Sequence, residues 1–598
     1  MTRTEATSTQ QTDLVLYDTP GSPCARRVRM TLIEKALPFR RVVLDLARME
    51  NKAPWYLRLN PNGQVPTLRI GSRVLYESNV ITEYLDRVFP EPRLYPADPE
   101  QFAQVKRWQT FEAIVSKHYG LLQYARLLGP LSRIQFSFDD FMEQARQRTR
   151  EPALLAWEAR VWKGEVLTAE QERHYVSTLY ARLDRLEGVL RRGRYLVGDR
   201  VTQADISVYP RVVMFPYIRL NIPANRYPAV RRWMRRLESR PSFADSRTVV
   251  DRIMRHPLAA QLITWADPAT PHRHAALAPL KSLTRITLSR DIIAAESAIE
   301  RHRKPPARSP EQVSAQAPVK PVPSPAGAWT VFGCPFNTET HIVVAALIAS
   351  GVAFTFHPVL TPLAAEHDQA HRQRAELPEV PLVIAPDGPI QGWPYVLGRI
   401  AEHSGPSLSY PQQPWDRAWT QVACMGDTVV NYKYLRPLIW QRLIGPWLRQ
   451  RWRSEAALLG ALRLHTSDAD ELEWRRRAWR GELLSDADTR ACFALLDRRA
   501  RFVGQRCLDR GWFAAAQFTI GDIAEWTRQQ EAIAVGWRSA GTGEQSQRAY
   551  LNWCERMAEQ PFASTWVQWR TTQQQAPATV QIAATNPTGQ ATTRPRSP

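Results

Sequence analysis

The chain has 598 residues, 44% of them hydrophobic, six cysteines, and a formal net charge of +21 from 79 Lys and Arg against 58 Asp and Glu. That length corresponds to about three to five domains, and the apolar content excludes a wholly disordered chain. Cys24, Cys334, Cys424, Cys492, Cys507 and Cys554 are scattered with no C-x-x-C pair, which excludes a disulfide framework or a cysteine metal site and fits a reducing cytoplasm.

In chain order, residues 1–12 are polar, lack an apolar signal-peptide core, and read as a disordered tail. Residues 13–95 alternate short apolar runs with amphipathic helices, a βαβ texture. Residues 96–245 read as helical, and 246–328 as a linker that is partly helical and then Pro-rich. The βαβ texture returns over 329–410 and a second helical block follows over 411–570. The Gln/Thr/Ala/Pro-rich residues 571–598 read as a disordered tail. The longest apolar run, Ile342 to Phe356, is interrupted by Ser350 and Gly351 and is shorter than the roughly 18 residues of a membrane span, so it predicts a buried helix entering a strand. Arginines such as Arg231, Arg232, Arg235, Arg236 and Arg475 to Arg477 are spread along helical segments. With no nucleic-acid-binding module in view, they read as a solvated surface, and neither nucleic acid nor membrane is expected as a partner.

The two βαβ regions repeat. Tyr17, Phe39 and Pro66 stand 315 residues before Phe332, Phe354 and Pro381, within Val65-Pro66-Thr67-Leu68 and Val380-Pro381-Leu382-Val383. In the helical blocks, Trp157-Glu158-Ala159-Arg160-Val161-Trp162-Lys163-Gly164-Glu165 matches Trp474 to Glu482, 317 residues on. Thr202-Gln203-Ala204-Asp205 matches Thr519-Ile520-Gly521-Asp522 at the same spacing. A near-constant offset across both halves reads as a tandem duplication.

Within the first copy, Ser22 follows a strand and a Pro/Gly turn and precedes a helix with Val28, Leu32 and Ile33 on its apolar face. Free N–H groups and the helix dipole at such a place favour an anion, and a hydroxyl there can donate to a thiolate; the local pattern equally describes a plain N-cap. Cys24, in the first turn, is either a thiol acidified by the dipole if it faces outward or an inert buried residue. In Asn60-Pro61-Asn62-Gly63-Gln64-Val65-Pro66, Pro66 opens a strand as an edge starter or as a cis proline that leaves the Val65 backbone free for an extended ligand. Ser78 reads as the N-cap of a helix carrying Val80, Ile81, Tyr84 and Leu85, with Glu77 beside it to meet an ammonium group. Thr202 with Asp205, and Thr519 with Asp522, read as structural capping boxes.

Taken together, Ser22-Pro23-Cys24, Lys52-Ala53-Pro54-Trp55-Tyr56, Gln64-Val65-Pro66, Glu77-Ser78 and Thr202-x-x-Asp205 resemble cytosolic glutathione transferases of the serine or cysteine kind, zeta- and omega-like. The resemblance covers about residues 13–245. It implies an α/β thioredoxin-like domain followed by an all-α domain, and with the repeat this gives two tandem units of that kind. It further implies glutathione as co-substrate, with Ser22 stabilising the thiolate and Cys24 adding thiol exchange if the reaction is reductive. Val65, at the Pro66 loop, would pair with the cysteinyl backbone, Glu77 and Ser78 would hold the γ-glutamyl end, and Lys52 the glycyl carboxylate. Trp108, Phe111 and Tyr119 are candidates for the wall against a small hydrophobic electrophile, although core packing is the ordinary role of a single aromatic.

The second copy departs from this pattern. Asn337 stands in place of Ser22, Glu339 in place of Cys24, and Gly392-Trp393 in place of Glu77-Ser78, which predicts a degenerate site. Two functions follow. One is a glutathione-dependent transferase (conjugation, dehalogenation or ether cleavage) acting in the first unit; the other is a non-catalytic interaction protein of the same fold that binds protein or nucleic-acid partners. The second unit could also take the place of a dimer partner within one chain, as an alternative to a homodimer. The long segments Phe136 to Arg160 and Trp447 to Arg477 exceed a compact transferase helix pair, and their Arg and Trp content suits a partner surface.

Overall fold

A computed structural model describes residues 13–46, 48–148, 152–254, 288–301, 329–363, 380–386, 388–391, 393–404, 408, 410–426, 435–466, 469–539, 543–575 and 580–582. The tail expected at 1–12, the Pro-rich stretch 302–328 and Gly392 lie outside the described residues. The chain divides into two compact units, Met1–Ala317 and Pro318–Pro598.

The first unit opens with β1 (Leu14–Asp18), α1 (Pro23–Glu34) and β2 (Arg40–Val43). α2 (Pro54–Leu59), the hairpin β3 (Thr67–Ile70) and β4 (Arg73–Tyr76), and α3 (Ser78–Val88) follow. The sheet order is β2-β1-β3-β4, with Val15 opposite Arg40 in the parallel pair and Leu16 opposite Leu68 in the antiparallel one. β1 is central, so its Leu14-Val15-Leu16 run is buried without alternation. This is the expected thioredoxin-like domain.

A helical domain continues with α4 (Pro99–Gln123), a π-helical turn at Tyr124–Leu128, α5 (Gly129–Gln135), α6 (Phe138–Arg148) and α7 (Pro152–Lys163). α8 (Ala169–Arg192), α9 (Gln203–Val212), α10 (Pro228–Glu238) and α11 (Pro241–Asp245) complete it. Start signals explain the helix boundaries. The Asp98 side chain accepts from Gln101 N at 2.9 Å, and Thr168 with Gln171 and Thr202 with Asp205 form reciprocal capping boxes.

The Thr202–Asp205 box does more than start a helix. Asp205 is fully buried and also accepts from Leu196 N at 3.1 Å and Trp233 Nε1 at 2.8 Å. Asp205→Ala strands these donors and is expected to cost the first unit about 3 kcal/mol. Chemical denaturation of the two proteins checks this; an unchanged midpoint would contradict it.

The helical parts expected within 246–328 are present where that segment is described, and they pack on the first unit. α12 (Val249–Met254) and α13 (Leu288–Arg301) belong to the first unit. Asp251 pairs with Arg26 of α1 at 3.2 Å, and Glu296 of α13 pairs with Arg41 of β2 at 2.6 Å, all four side chains being buried. Buried arginines need carboxylates, and this segment supplies them. α13 also packs against β2, an edge strand of the sheet.

The second unit has β5 (Trp329–Gly333), α14 (Thr338–Ala349), β6 (Phe354–Pro358), β7 (Leu382–Ala385), β8 (Gly388–Gln391) and α15 (Trp393–His403). Its helices continue as α16 (Pro414–Met425), α17 (Arg436–Ile439), a π-helical turn at Trp440–Ile444, α18 (Gly445–Arg451), α19 (Glu455–Leu462) and α20 (Ala469–Arg480). α21 (Asp486–Arg510), α22 (Ile520–Ala534), α23 (Gln545–Ala558), α24 (Pro561–Gln575) and β9 (Val580–Ile582) close it. The sheet order is β8-β7-β5-β6-β9. Thr519 and Asp522 form a capping box that also receives Trp553 Nε1 at 3.1 Å; burial pushes the Asp522 carboxyl up to about 6 against these donors.

The disordered tail expected at 571–598 is corrected where it is described. α24 runs to Gln575, and β9 pairs antiparallel with β6, placing Ile582 opposite Phe354. The tail covers an edge that composition alone leaves bare. Among the described residues, no helix is long and apolar enough to cross a membrane.

Candidate active site

The Ser22 side chain caps α1, its Oγ accepting from Ala25 N at 3.2 Å. A hydroxyl that accepts in this way keeps its proton to donate, and Ser22 is half-buried at the end of β1. The Val65–Pro66 peptide is cis. Among the described residues, the half-buried Val65 carries no hydrogen bond on its N–H or C=O. Asn60 and Tyr56 hold the neighbouring Gln64 carbonyl at 2.9 and 2.6 Å, so the loop is fixed from below while Val65 stays unpaired. Lys52 lies beside the same loop, its Nζ donating to Asn62 O at 3.0 Å.

Glu77 has φ +70°, a left-handed conformation that side chains rarely adopt. Such backbone persists where surroundings hold it and clusters at functional sites. Asn62 Nδ2 donates to its Oε1 at 3.3 Å. The expectation that Ser78 caps α3 is corrected: Glu77 holds the N-cap position without a side-chain cap bond, and Ser78 is the first helical residue. The Ser78 Oγ accepts instead from Arg27 Nη1 at 3.1 Å.

Arg27 was invisible to motif reading. It lies on α1, is buried, and also contacts Asn79 Oδ1, Glu112 Oε2 and Ser207 O. Glu112 of α4 accepts from Arg211 Nε of α9 at 3.2 Å, and Arg211 Nη2 donates to Ser116 Oγ at 2.7 Å. Burial would raise the Glu112 carboxyl, but Arg27 and Arg211 outweigh it and hold Glu112 below the ordinary carboxylate range. A signal for this existed. Arg26, Arg27 and Arg29 are consecutive but for one residue on a helix whose neighbours are apolar, and all three are buried. A helix left with little room for a polar face must pair its arginines internally.

Of the two readings of Cys24, the structure favours the thiol that is not acidified. The residue is half-buried. Burial pushes its thiol up, the Glu112 carboxylate adds to this, and Arg27 and Arg211 oppose it without prevailing. Desolvation exceeds the helix dipole here.

Of the two readings of the aromatics on α4, core packing is the one their burial supports. Trp108, Phe111 and Tyr119 are 8, 3 and 0% exposed and belong to the core of the helical domain. Trp108 and Phe111 pack edge to face at 5.0 Å under Arg185 of α8. Tyr119 stacks on Phe215 at 6.1 Å. Residues on the α1 side of α4 are Glu112 and Ser116 instead.

In the second unit the side chains at the corresponding positions are engaged by their neighbours. Asn337 caps α14 by accepting from Thr340 N at 2.7 Å, and its amide donates to Glu339 at 2.8 Å. Phe336 packs against Trp447 of α18 at 5.4 Å. Arg528 donates to Ala423 O and Cys424 O at 2.9 Å each, and Gly426 (φ +69°) ends α16 where a Cβ would lie 2.4 Å from that guanidinium. α16 therefore stops, while α4 runs on through the matching positions. Val380–Pro381 retains the cis geometry, Gly392 lies outside the described residues, and Trp393 opens α15.

Two family models match. The glutathione S-transferase N-terminal domain covers residues 21–88, and the glutathione S-transferase C-terminal domain covers residues 168–241. Protein LigF of Sphingobium sp. is 29% identical over 36% of this chain and 85% of its own length. Glutathione S-transferase PARB of Nicotiana tabacum is 27% identical over 38% of this chain and 94% of its own length. A probable maleylacetoacetate isomerase of Caenorhabditis elegans is 28% identical over 38% of this chain and 90% of its own length. The crystal structure of beta-etherase LigF from Sphingobium sp. aligns with a TM-score of 0.35 and 26% identity, covering 39% of this chain and 98% of that one.

Proposed function

Because the N-terminal unit of this chain belongs to the glutathione S-transferase family, we propose that the protein is a glutathione-dependent transferase whose chemistry takes place in that unit, on a small hydrophobic electrophile. Conjugation, dehalogenation and ether cleavage are all within reach of such a site. What supports the proposal is a capping hydroxyl at Ser22, an unpaired backbone at Val65 and the start of α3 at Ser78, on elements that pack together, α1 on α3 and β1 beside β3. An extended thiol peptide needs these three things: a donor for its sulfur, a strand-like partner for its backbone, and a helix N-terminus for a carboxylate.

Glutathione supplies the thiol that becomes the nucleophile. Ser22 donates its hydroxyl proton toward the sulfur and so favours the thiolate. The Val65 backbone aligns the cysteinyl segment. Ser78, its oxygen already engaged by Arg27, keeps its proton for the γ-glutamyl carboxylate, and Glu77 meets the ammonium group. Lys52 stands ready for the glycyl carboxylate. Cys24, with its thiol raised, remains protonated and serves at most a later thiol-exchange step.

Supporting the reading of the second unit as a degenerate copy is the consumption of its donors: Asn337 is engaged with Glu339, and Trp447 packs over Phe336. A common origin of the two units accounts for the shared element order and for the matching cis prolines Pro66 and Pro381. The non-catalytic alternative draws on the same unit, which retains a fold without its site residues.

Calorimetric titration of glutathione tests the proposal. The wild type is expected to bind one equivalent per chain, and Glu77→Ala/Ser78→Ala to bind none. Absence of binding by the wild type at millimolar glutathione, or two equivalents per chain, would overturn it.

A further inference from the structure

Each helical domain carries the same fastened hairpin, and the two copies differ in one respect that packing does not demand. In the first unit, Gly129 starts α5 in close contact with Val161 O, Arg133 donates to Trp162 O at 2.6 Å, and Trp162 Nε1 donates to Phe136 O at 3.2 Å. In the second unit, Gly445 starts α18 against Ala478 O, Arg449 donates to Trp479 O, and Trp479 Nε1 donates to Trp452 O at 3.0 Å. Arg160 and Arg477 close the ends of α7 and α20 on the carbonyls of Glu165 and Glu482.

The scaffold therefore forms with either sequence. At its tip, however, Gln135-Phe136-Ser137 is replaced by Arg451-Trp452-Arg453, and Leu131 by Trp447. Arg451 and Arg453 are exposed, as are Arg449 and Arg463. Among the described residues, none of these four takes part in an ion pair, whereas Arg476 and Arg480 are answered by Glu455 and Glu473. Arg451 stands over Trp447 and Trp452 at 5.7 and 5.5 Å, and the two indoles lie edge to face at 6.4 Å. Arg449 has its counterpart in Arg133 and a place in the hairpin, but Arg451 and Arg453 stand where the first unit has Gln135 and Ser137, and among the described residues no hydrogen bond or ion pair of the hairpin explains them.

We infer that the tip of the α18–α20 hairpin is a docking surface for single-stranded nucleic acid. The exposed guanidinium groups of Arg451 and Arg453 suit phosphodiesters, and the half-buried Trp452 between them, with Arg451 over its ring, offers a platform for a base regardless of sequence. An acidic protein would use the arginines but gain nothing from the platform. The chain's charge of +21 draws such a polyanion without any dedicated motif. This surface is independent of the glutathione reading of the first unit.

Fluorescence anisotropy of a labelled mixed-sequence DNA oligonucleotide, titrated with the full chain across a range of salt, tests the inference. Arg451→Gln/Trp452→Phe/Arg453→Ser installs the residues that the first unit already carries on the same scaffold, so the hairpin is expected to stay folded by circular dichroism. Its affinity should fall by about tenfold, and the slope of log affinity against log salt should become shallower by about 1.4, or roughly 0.7 for each lost phosphate contact. Arg451→Lys/Arg453→Lys should keep the slope. No binding by the wild type at low salt, or the same affinity and slope in the triple variant, would overturn the inference. Competition by polyglutamate as effective as that by unlabelled oligonucleotide at matched charge would overturn it in favour of an acidic protein partner.

Discussion

Ser22→Ala is expected to lower kcat/KM for thiol transfer by about 10²- to 10³-fold, the usual effect of deleting one donor aimed at a reacting anion in a shielded site. Glutathione affinity should change little, because Val65, Glu77, Ser78 and Lys52 hold the peptide by other groups. The ultraviolet absorbance of bound thiolate, followed against pH, checks the mechanism without any need to know the electrophile. In the wild type the thiolate should persist to lower pH than in the variant. Cys24→Ala should leave that titration in place, since the Cys24 thiol is raised by burial and Glu112 and does not supply the charge. A thiolate signal lost in Cys24→Ala but kept in Ser22→Ala would reverse the two roles.

Glu112→Gln is expected to have the largest effect on stability. The carboxylate lies between Arg27 and Arg211, with all three side chains buried. Removing its charge leaves two cations in the interior with a neutral amide, and breaking a buried pair in this way costs about 3–5 kcal/mol. The pH dependence has a definite sign. Burial works to raise the Glu112 carboxyl, but the two arginines prevail and hold it below its ordinary value. Its contribution is therefore fully present above the unfolded carboxylate pKa of about 4.3 and is lost as pH falls through the lower folded value. Denaturation curves at neutral pH should separate wild type and variant widely, and the gap should narrow in acid. A gap independent of pH would show that packing, and not charge, holds the junction. Loss of the carboxylate should also lower the Cys24 thiol, because Glu112 is among the groups that raise it.

Much of this site was legible in the residues. Ser22 after a strand and a Pro/Gly turn, Pro66 after Asn-Gly, and Thr202 three residues before Asp205 are local signals, and local backbone chemistry places each where it was expected. Ser78 and Glu77 were found at the right helix but with their roles at the cap exchanged, because Arg27 arrives from α1 to take the serine oxygen. For Trp108, Phe111 and Tyr119 the residues left a substrate wall and core packing both open, because aromatic content does not reveal which face of a long helix turns to the core; their burial favours packing. Arg27, Glu112 and Arg211 were missed because their pairing joins three helices that lie far apart in the chain.

By itself, the sequence determined the order of the elements, the recurrence of one pattern at offsets of 315 and 317 residues, and the replacement of Ser22 by Asn337 and of Glu77-Ser78 by Gly392-Trp393 at the matching positions. Those properties depend on neighbouring residues and on period, which the chain carries in any conformation. Only the tertiary structure decided that residues 249–254 and 288–301 belong to the first unit, that residues 580–582 add an edge strand to the second, and that Cys24 faces a desolvated carboxylate. Each of those depends on which distant groups meet in a medium of low dielectric. There an unpaired charge or an open strand edge is costly, and the cost is met by partners that no local pattern names.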